Sequence, residues 1–195
     1  METPTTYLSP KLELKLPLTD EQFWQLCRDN DDLRFEATAN GELIIMPPTG
    51  GYTSERNADL IYQLKAWSRQ NNLGKVFDSN GGLILPNGAK RAPDASWLSI
   101  DRWDALTREE KDKFLPLCPD FVVELMSPSD TRPDTREKMR EYMENGARLG
   151  WLIDRQQRQV EIYRRDREME ILDNPQTVSG ETVLPGFVLD LSTIW

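Results

Sequence analysis

Three side chains in this sequence have the types and spacing to act on a phosphate ester: Asp94, Glu124 and Lys138. Glu124 interrupts the apolar run Phe121-Val122-Val123-Glu124-Leu125-Met126. In an extended strand Val122, Glu124 and Met126 share one face and Phe121, Val123 and Leu125 the other. Both faces read as buried, where an ionised carboxylate costs several kcal/mol unless a cation or hydrogen-bond donor compensates it. Asp94 follows Pro93 and opens the strand-like Ala95-Ser96-Trp97-Leu98-Ser99-Ile100. Two carboxylates entering from adjacent strands are suited to a divalent cation, which polarises a phosphoryl oxygen and acidifies water. Lys138 lies about one turn into the next helical stretch, from which its stem can reach back over the sheet. Each residue also has a plainer reading: Glu124 at a strand end against an arginine, Asp94 in a turn, and Lys138 on the surface against Asp134 or Glu141.

Composition narrows the chemistry further. The chain has no histidine, which removes Ser-His-Asp and Cys-His catalysis and most zinc sites. Thirty-three acids against 24 bases suit a hard, oxygen-ligated cation such as Mg²⁺ or Mn²⁺. The net charge of −9 argues against an overall basic face for nucleic acid. The bases are unevenly spread, however, with ten of the 24 between residues 130 and 170, where ten acids balance them. Cys27 and Cys118 lack CxxC spacing and read as reduced thiols packed as small hydrophobes. The N-terminal residues show no basic segment followed by an apolar stretch, and no apolar run approaches the roughly 20 residues of a membrane span. A cytoplasmic location is the expectation.

The elements that must position these residues read as follows. Leu18–Asp29 forms a short helix capped by Thr19 with Gln22 three residues on. A hairpin pairs Arg34-Phe35-Glu36-Ala37 with Glu42 to Pro47 across Asn40-Gly41, and Pro47-Pro48 ends it. Thr53 to Asn72 is a long amphipathic helix through Leu60, Ile61, Leu64 and Trp67, closed by Gly74. Short strands follow at residues 75–79, 82–86 and 93–100, and Thr107 opens a helical piece by a capping box. After the Glu124 strand comes a helix from Asp134 to Asn145, stopped by Gly146, and then strands at 149–154, 159–164 and 169–172. The C-terminal run is apolar to Trp195 and reads as ordered. The expected architecture is α/β, a mixed sheet flanked by helices, in one domain over residues 1–195, with 1–18 as an N-terminal extension and 19–195 as core.

Carried by these residues, a resemblance emerges. The chain is similar to the Uma-two family of putative restriction endonucleases, a branch of the PD-(D/E)XK nucleases, from about Phe35 to Trp195. The likeness rests on the run from Gly41 to Gly50, on Leu85-Pro86-Asn87-Gly88 leading into Pro93-Asp94-Ala95-Ser96-Trp97, and on Pro119 to Leu125. Glu137-Lys138-Met139, Gly150 to Asp154 and Leu184 to Leu191 continue it. The resemblance implies a restriction-endonuclease-like core and Mg²⁺-dependent hydrolysis of phosphodiesters, with Asp94 and Glu124 as metal-binding acids. The superfamily's lysine normally stands two residues after the acid, at Met126 here, and looks displaced to Lys138. Glu36 and Glu55 are candidates for an auxiliary acid, each otherwise a surface residue.

The function expected is therefore that of a metal-dependent endonuclease acting on DNA as a homodimer, in which the apolar C-terminal run contributes to the interface. The alternative is a nuclease fold without catalysis, serving to bind nucleic acid or protein. A carboxylate-pair glycosidase would fit the six tryptophans, but those read mostly as core residues and such a pair needs no metal.

Overall fold

We describe residues 12–46 and 48–195 of a computed structural model of the chain. Pro47, read as ending the hairpin strand, and residues 1–11 of the expected extension lie outside the described residues. In chain order the elements are β1 (Leu12–Lys15), α1 (Asp20–Asp29), β2 (Arg34–Ala37), β3 (Glu42–Met46), α2 (Gly51–Asn71) and β4 (Gly74–Asp78). They continue with β5 (Leu83–Ile84), β6 (Lys90–Arg91), β7 (Ala95–Ser99), α3 (Ile100–Asp104), α4 (Arg108–Asp112) and β8 (Phe121–Leu125). The last are α5 (Arg132–Glu144), β9 (Leu149–Asp154), β10 (Gln159–Arg164), β11 (Glu170–Asp173), β12 (Thr177–Ser179) and β13 (Val188–Asp190).

The central sheet has the strand order β11-β10-β9-β8-β7-β4. Only β8 and β9 run parallel, joined by the crossover through α5; the other neighbours are antiparallel, so the sheet is mixed as expected. Alternation along β8 sorts its side chains as the sequence predicts. Phe121, Val123 and Leu125 pack with Leu60, Leu64 and Trp67 of α2 and with the C-terminal Phe187 and Ile194. Val122 packs on the opposite face with Met139 and Tyr142 of α5, and Met126 joins them. The buried Trp67, Trp97 and Trp151 belong to the first of these cores.

A second sheet, β1-β3-β2-β6-β5, stands beside the first. Its hairpin is the one read from Asn40-Gly41, with Gly41 at a φ of +79°. Leu12–Lys15, within the stretch read as an extension, pairs with β3 as β1. The Thr19 and Thr107 capping boxes both form. Helix α2 ends differently from the expectation: Asn72 supplies the left-handed residue at a φ of +49°, and Gly74 opens β4 instead. The C-terminal run turns inward, with Leu184, Phe187, Leu189, Leu191 and Ile194 all buried in the core. Those five side chains cannot face a partner, which leaves Val188 as the large exposed apolar residue of the run. No helix among the described residues is long and apolar enough to cross a membrane.

Candidate active site

The register of the central sheet sets the two acids against each other. Ala95 of β7 pairs antiparallel with Val123 of β8, so one further step places Asp94 opposite Glu124. Residues directly opposite in this way share a sheet face, with Cβ atoms about 5 Å apart. Asp94 is fixed at both oxygens: the Leu125 N–H donates to Oδ2 at 2.9 Å and Asn57 Nδ2 to Oδ1 at 3.0 Å. Glu124, 8% exposed, accepts Tyr142 Oη at 2.9 Å and the Lys138 ammonium at 2.9 Å, both on Oε1.

Lys138 is brought in by its helix. Thr131 caps α5, Pro133 stands in its first turn, and Met139 and Tyr142 seat it on the sheet. Lys138 and Tyr142 are four residues apart, hence on one helix face, and both reach Glu124. The second carboxylate on the ammonium is Glu36 of β2, at 2.8 Å. Glu36 also accepts from Arg91 Nη1 at 3.2 Å and from the Ala92 N–H at 3.0 Å, and Arg91 Nε in turn holds Glu141 at 2.6 Å.

The electrostatics follow from this crowding. Burial, and the nearby charges of Asp94 and Glu36, push Glu124 up to about 7 against the pull of Lys138. Burial also raises Asp94, with the Leu125 N–H, Lys138 and Arg34 opposing it. Glu36 goes the other way: burial is outweighed by Lys138 and Arg91, which hold its carboxyl below the usual range. Burial opposes the charge on Lys138, but Glu124 and Glu36 overcome it and keep the ammonium above its ordinary value. Four acids, Glu36, Asp94, Glu124 and Glu141, thus meet two bases, Arg91 and Lys138, in the contact network; fully ionised, that network carries a surplus of two negative charges, with Arg34 and Arg155 acting on Asp94 from farther out.

That surplus matches one divalent cation, and the donors are all oxygen, as a hard ion requires. Beside Asp94 the Oδ1 atom of Asn57 is buried without a partner, a further oxygen in want of a positive neighbour. Among the described residues no three acids, cysteines or histidines group around a common ion position. Asp94 and Glu124 would therefore be the protein's acidic contribution, with water completing the shell as is usual for Mg²⁺.

The residues read from sequence divide clearly. Asp94, Glu124, Lys138 and Glu36 come together, and Glu36, expected on the surface, is 3% exposed. Glu55 does not join them: it is exposed on α2, while Asn57, two residues on and so roughly 200° around the helix, faces Asp94. Asn57, Tyr142 and Arg91 escape the sequence reading. Asn57 has a signal, a polar residue on the stripe Thr53, Asn57, Leu60, Leu64, Trp67; Arg91 has none. Both cysteines are free, and burial pushes the Cys27 thiol up to about 11 and Cys118 to about 12, the behaviour of packing residues.

With this geometry in view, the comparisons with known proteins are informative. The family model Uma2, described as "Putative restriction endonuclease", matches residues 20–192. A crystal structure of a putative nuclease belonging to DUF820 from Anabaena variabilis superposes with a TM-score of 0.75 at 21% identity, covering 91% of this chain and 97% of that one. At that identity the likeness speaks to the fold. No curated protein matches the chain.

Proposed function

We propose, from the premise that the chain belongs to the Uma2 family of putative restriction endonucleases, that it is a metal-dependent endonuclease hydrolysing DNA phosphodiester bonds. The observation that carries this reading is the Asp94–Glu124 pair, a half-buried and a buried carboxylate set opposite each other and both driven towards their protonated forms, with the Lys138 ammonium against one of them. The pair and the lysine stand as a PD-(D/E)XK site in which the lysine comes from α5 and the usual strand position holds Met126.

Asp94 and Glu124 would hold Mg²⁺ or Mn²⁺, which when bound supplies Lewis-acid polarisation of a phosphoryl oxygen and acidification of water. Leu125 and Asn57 orient the Asp94 carboxylate, and Tyr142 orients Glu124. Lys138 is held protonated between two carboxylates and so acts as a donor, not as a base. Its ammonium orients the attacking water and offsets charge growing on the phosphate. Glu36, anchored by Arg91, positions that ammonium.

The test is incubation of supercoiled plasmid with purified protein and Mg²⁺ or Mn²⁺, with and without chelator. Nicked or linear product is expected with metal, none with chelator, and none from the Asp94→Asn variant. A plasmid left intact by the parent under both metals would overturn the reading; DNA retained but uncut would assign the fold to binding.

A further inference from the structure

The rim of the site carries two cations, Arg155 and Arg34, that enter none of the described ion pairs although Asp94 lies within electrostatic reach of both. Arg155, the residue after β9, donates through Nε to the Met126 carbonyl at 3.3 Å and through Nη2 to Thr53 Oγ1 at 3.3 Å. Both acceptors adjoin the supports of Asp94: Met126 follows Leu125, and Thr53 lies one helical turn before Asn57. Only two of the five guanidinium donors are engaged, both by neutral groups, and none of the described ion pairs includes Arg155. Burial and the charge of nearby Arg56 depress the Arg155 guanidinium against the smaller pull of Asp154 and Asp94. Arg56 itself holds the backbone oxygens of Tyr52 and Trp195, and its buried Nε has no partner.

A second cation stands on the β2–β6 side. Arg34 is two residues before Glu36, so it leaves the same face of β2, and its Nη2 meets the Ser79 carbonyl at 2.9 Å. It lines a cavity of about 120 Å³ with Lys90, Arg91, Asn80 and Ala92, and no acid contributes to the wall. Ala92 lies two residues before Asp94 and donates its N–H to Glu36.

We infer that Arg34 and Arg155 hold the phosphate backbone of the nucleic acid on the two sides of the Asp94–Glu124 pair. This surface rests on the nuclease reading and says where the strand lies. It also reconciles nucleic-acid binding with a net charge of −9, because local unpaired cations at the site matter more than the total. The larger groove between α5 and β10–β11, about 810 Å³, is richer in arginine but includes none of Asp94, Glu124 and Lys138 in its wall: Arg136 is held there by Glu161 and Arg164 by Glu170 and Glu181, while Arg140, Arg165 and Arg167 share it with Glu144, Asp166 and Glu168.

The test measures binding of a fluorescein-labelled 20-base-pair DNA duplex by anisotropy, with Ca²⁺ in place of Mg²⁺, from 50 to 200 mM salt. The proteins are the parent, Arg155→Gln, Arg34→Gln, their double variant and the control Arg140→Gln/Arg165→Gln in the other groove. Each rim substitution should weaken binding about tenfold and lower the log–log salt slope by about one. Circular dichroism and Mn²⁺ calorimetry should match the parent, which separates lost contacts from lost fold. Parent-like affinity and slope in the double variant, while the parent still cleaves plasmid, would overturn the surface and leave the nuclease reading standing. Loss in the control variant alone would overturn it in favour of the other groove. A parent that neither binds nor cleaves would overturn both.

Discussion

In the proposed reaction Lys138 is the residue to test first, because its ammonium is shared between an acid of the proposed metal pair and an acid outside it. Lys138→Ala should leave Mn²⁺ binding intact by calorimetry yet slow plasmid cleavage by about 10²–10³, the usual cost of losing one such electrostatic contact. Met126 shares the Glu124 face of β8 and packs with the α5 core, so a lysine there would enter the same space. The double variant Met126→Lys/Lys138→Ala should recover measurable cleavage; a folded but dead double variant would refute the shared-space geometry, and full activity in Lys138→Ala would reduce the lysine to a structural charge. Glu124 gives a second test without substrate. Its proton is lost near pH 7 in the folded chain and near 4.5 when unfolded, so between those values the folded state holds the extra proton. Stability from this group is therefore complete below about pH 4.5 and lost as pH rises to about 7. Compared in chelator, Glu124→Gln should gain on the parent by on the order of 2 kcal/mol from pH 4.5 to 7.5, and an unchanged gap in denaturation midpoint would contradict the burial cost assigned to Glu124.

The site also depends on how closely α5 lies on the sheet. Gly150 of β9 makes that approach possible: a Cβ there would stand 2.5 Å from Met139 Cε and 3.0 Å from Met143 Cε. Met139 is fully buried, so Gly150→Ala should cost about 1–3 kcal/mol in chemical denaturation and, by lifting the helix that carries Lys138, reduce cleavage more than Mn²⁺ binding. Equal stability with equal activity would show that the helix has slack at this point. Why α5 and β8 can be read from sequence while other parts cannot is a matter of range. An uninterrupted apolar strand with one acid, a capped helix and a glycine stop are local signals, and so are the two capping boxes. Glu36 is different. In Arg34-Phe35-Glu36-Ala37 the alternation marks Phe35 and Ala37 as inward and Glu36 as outward, and the strand does place Phe35 and Ala37 in the core under α1. The opposite face becomes buried only when Arg91 and Lys138, the latter 102 residues away, close over it. Strands β1, β12 and β13 are likewise short, and their pairing partners, not their own patterns, define them.

At the scale of the whole molecule, the proposed reaction sets one site per chain against a duplex with two strands. Cleaving both in register suits two copies related by a twofold axis, the commonest symmetry of soluble oligomers. Most large apolar side chains of the C-terminal segment already fill the core beside α2. Apolar surface remains at Tyr52, 81% exposed, at Tyr62, 69%, and at Val188 of that same segment, 54%. Tyr62 lies on α2, and β13, which carries Val188, is tied to that helix by hydrogen bonds between Gln63 and Asp190. Two large apolar residues on connected elements, left uncovered by the chain itself, are where a self-complementary contact would form. Light scattering at micromolar concentration should give about twice the 22.6 kDa of one chain. The double variant Tyr62→Ser/Val188→Ser should shift the mass towards a single chain while the denaturation midpoint of the isolated fold stays within about 0.5 kcal/mol, as expected for exposed positions. On plasmid, that variant should nick one strand faster than it linearises. A parent mass of 22.6 kDa would rule out the dimer, and a dimer untouched by the double variant would place its interface on another face.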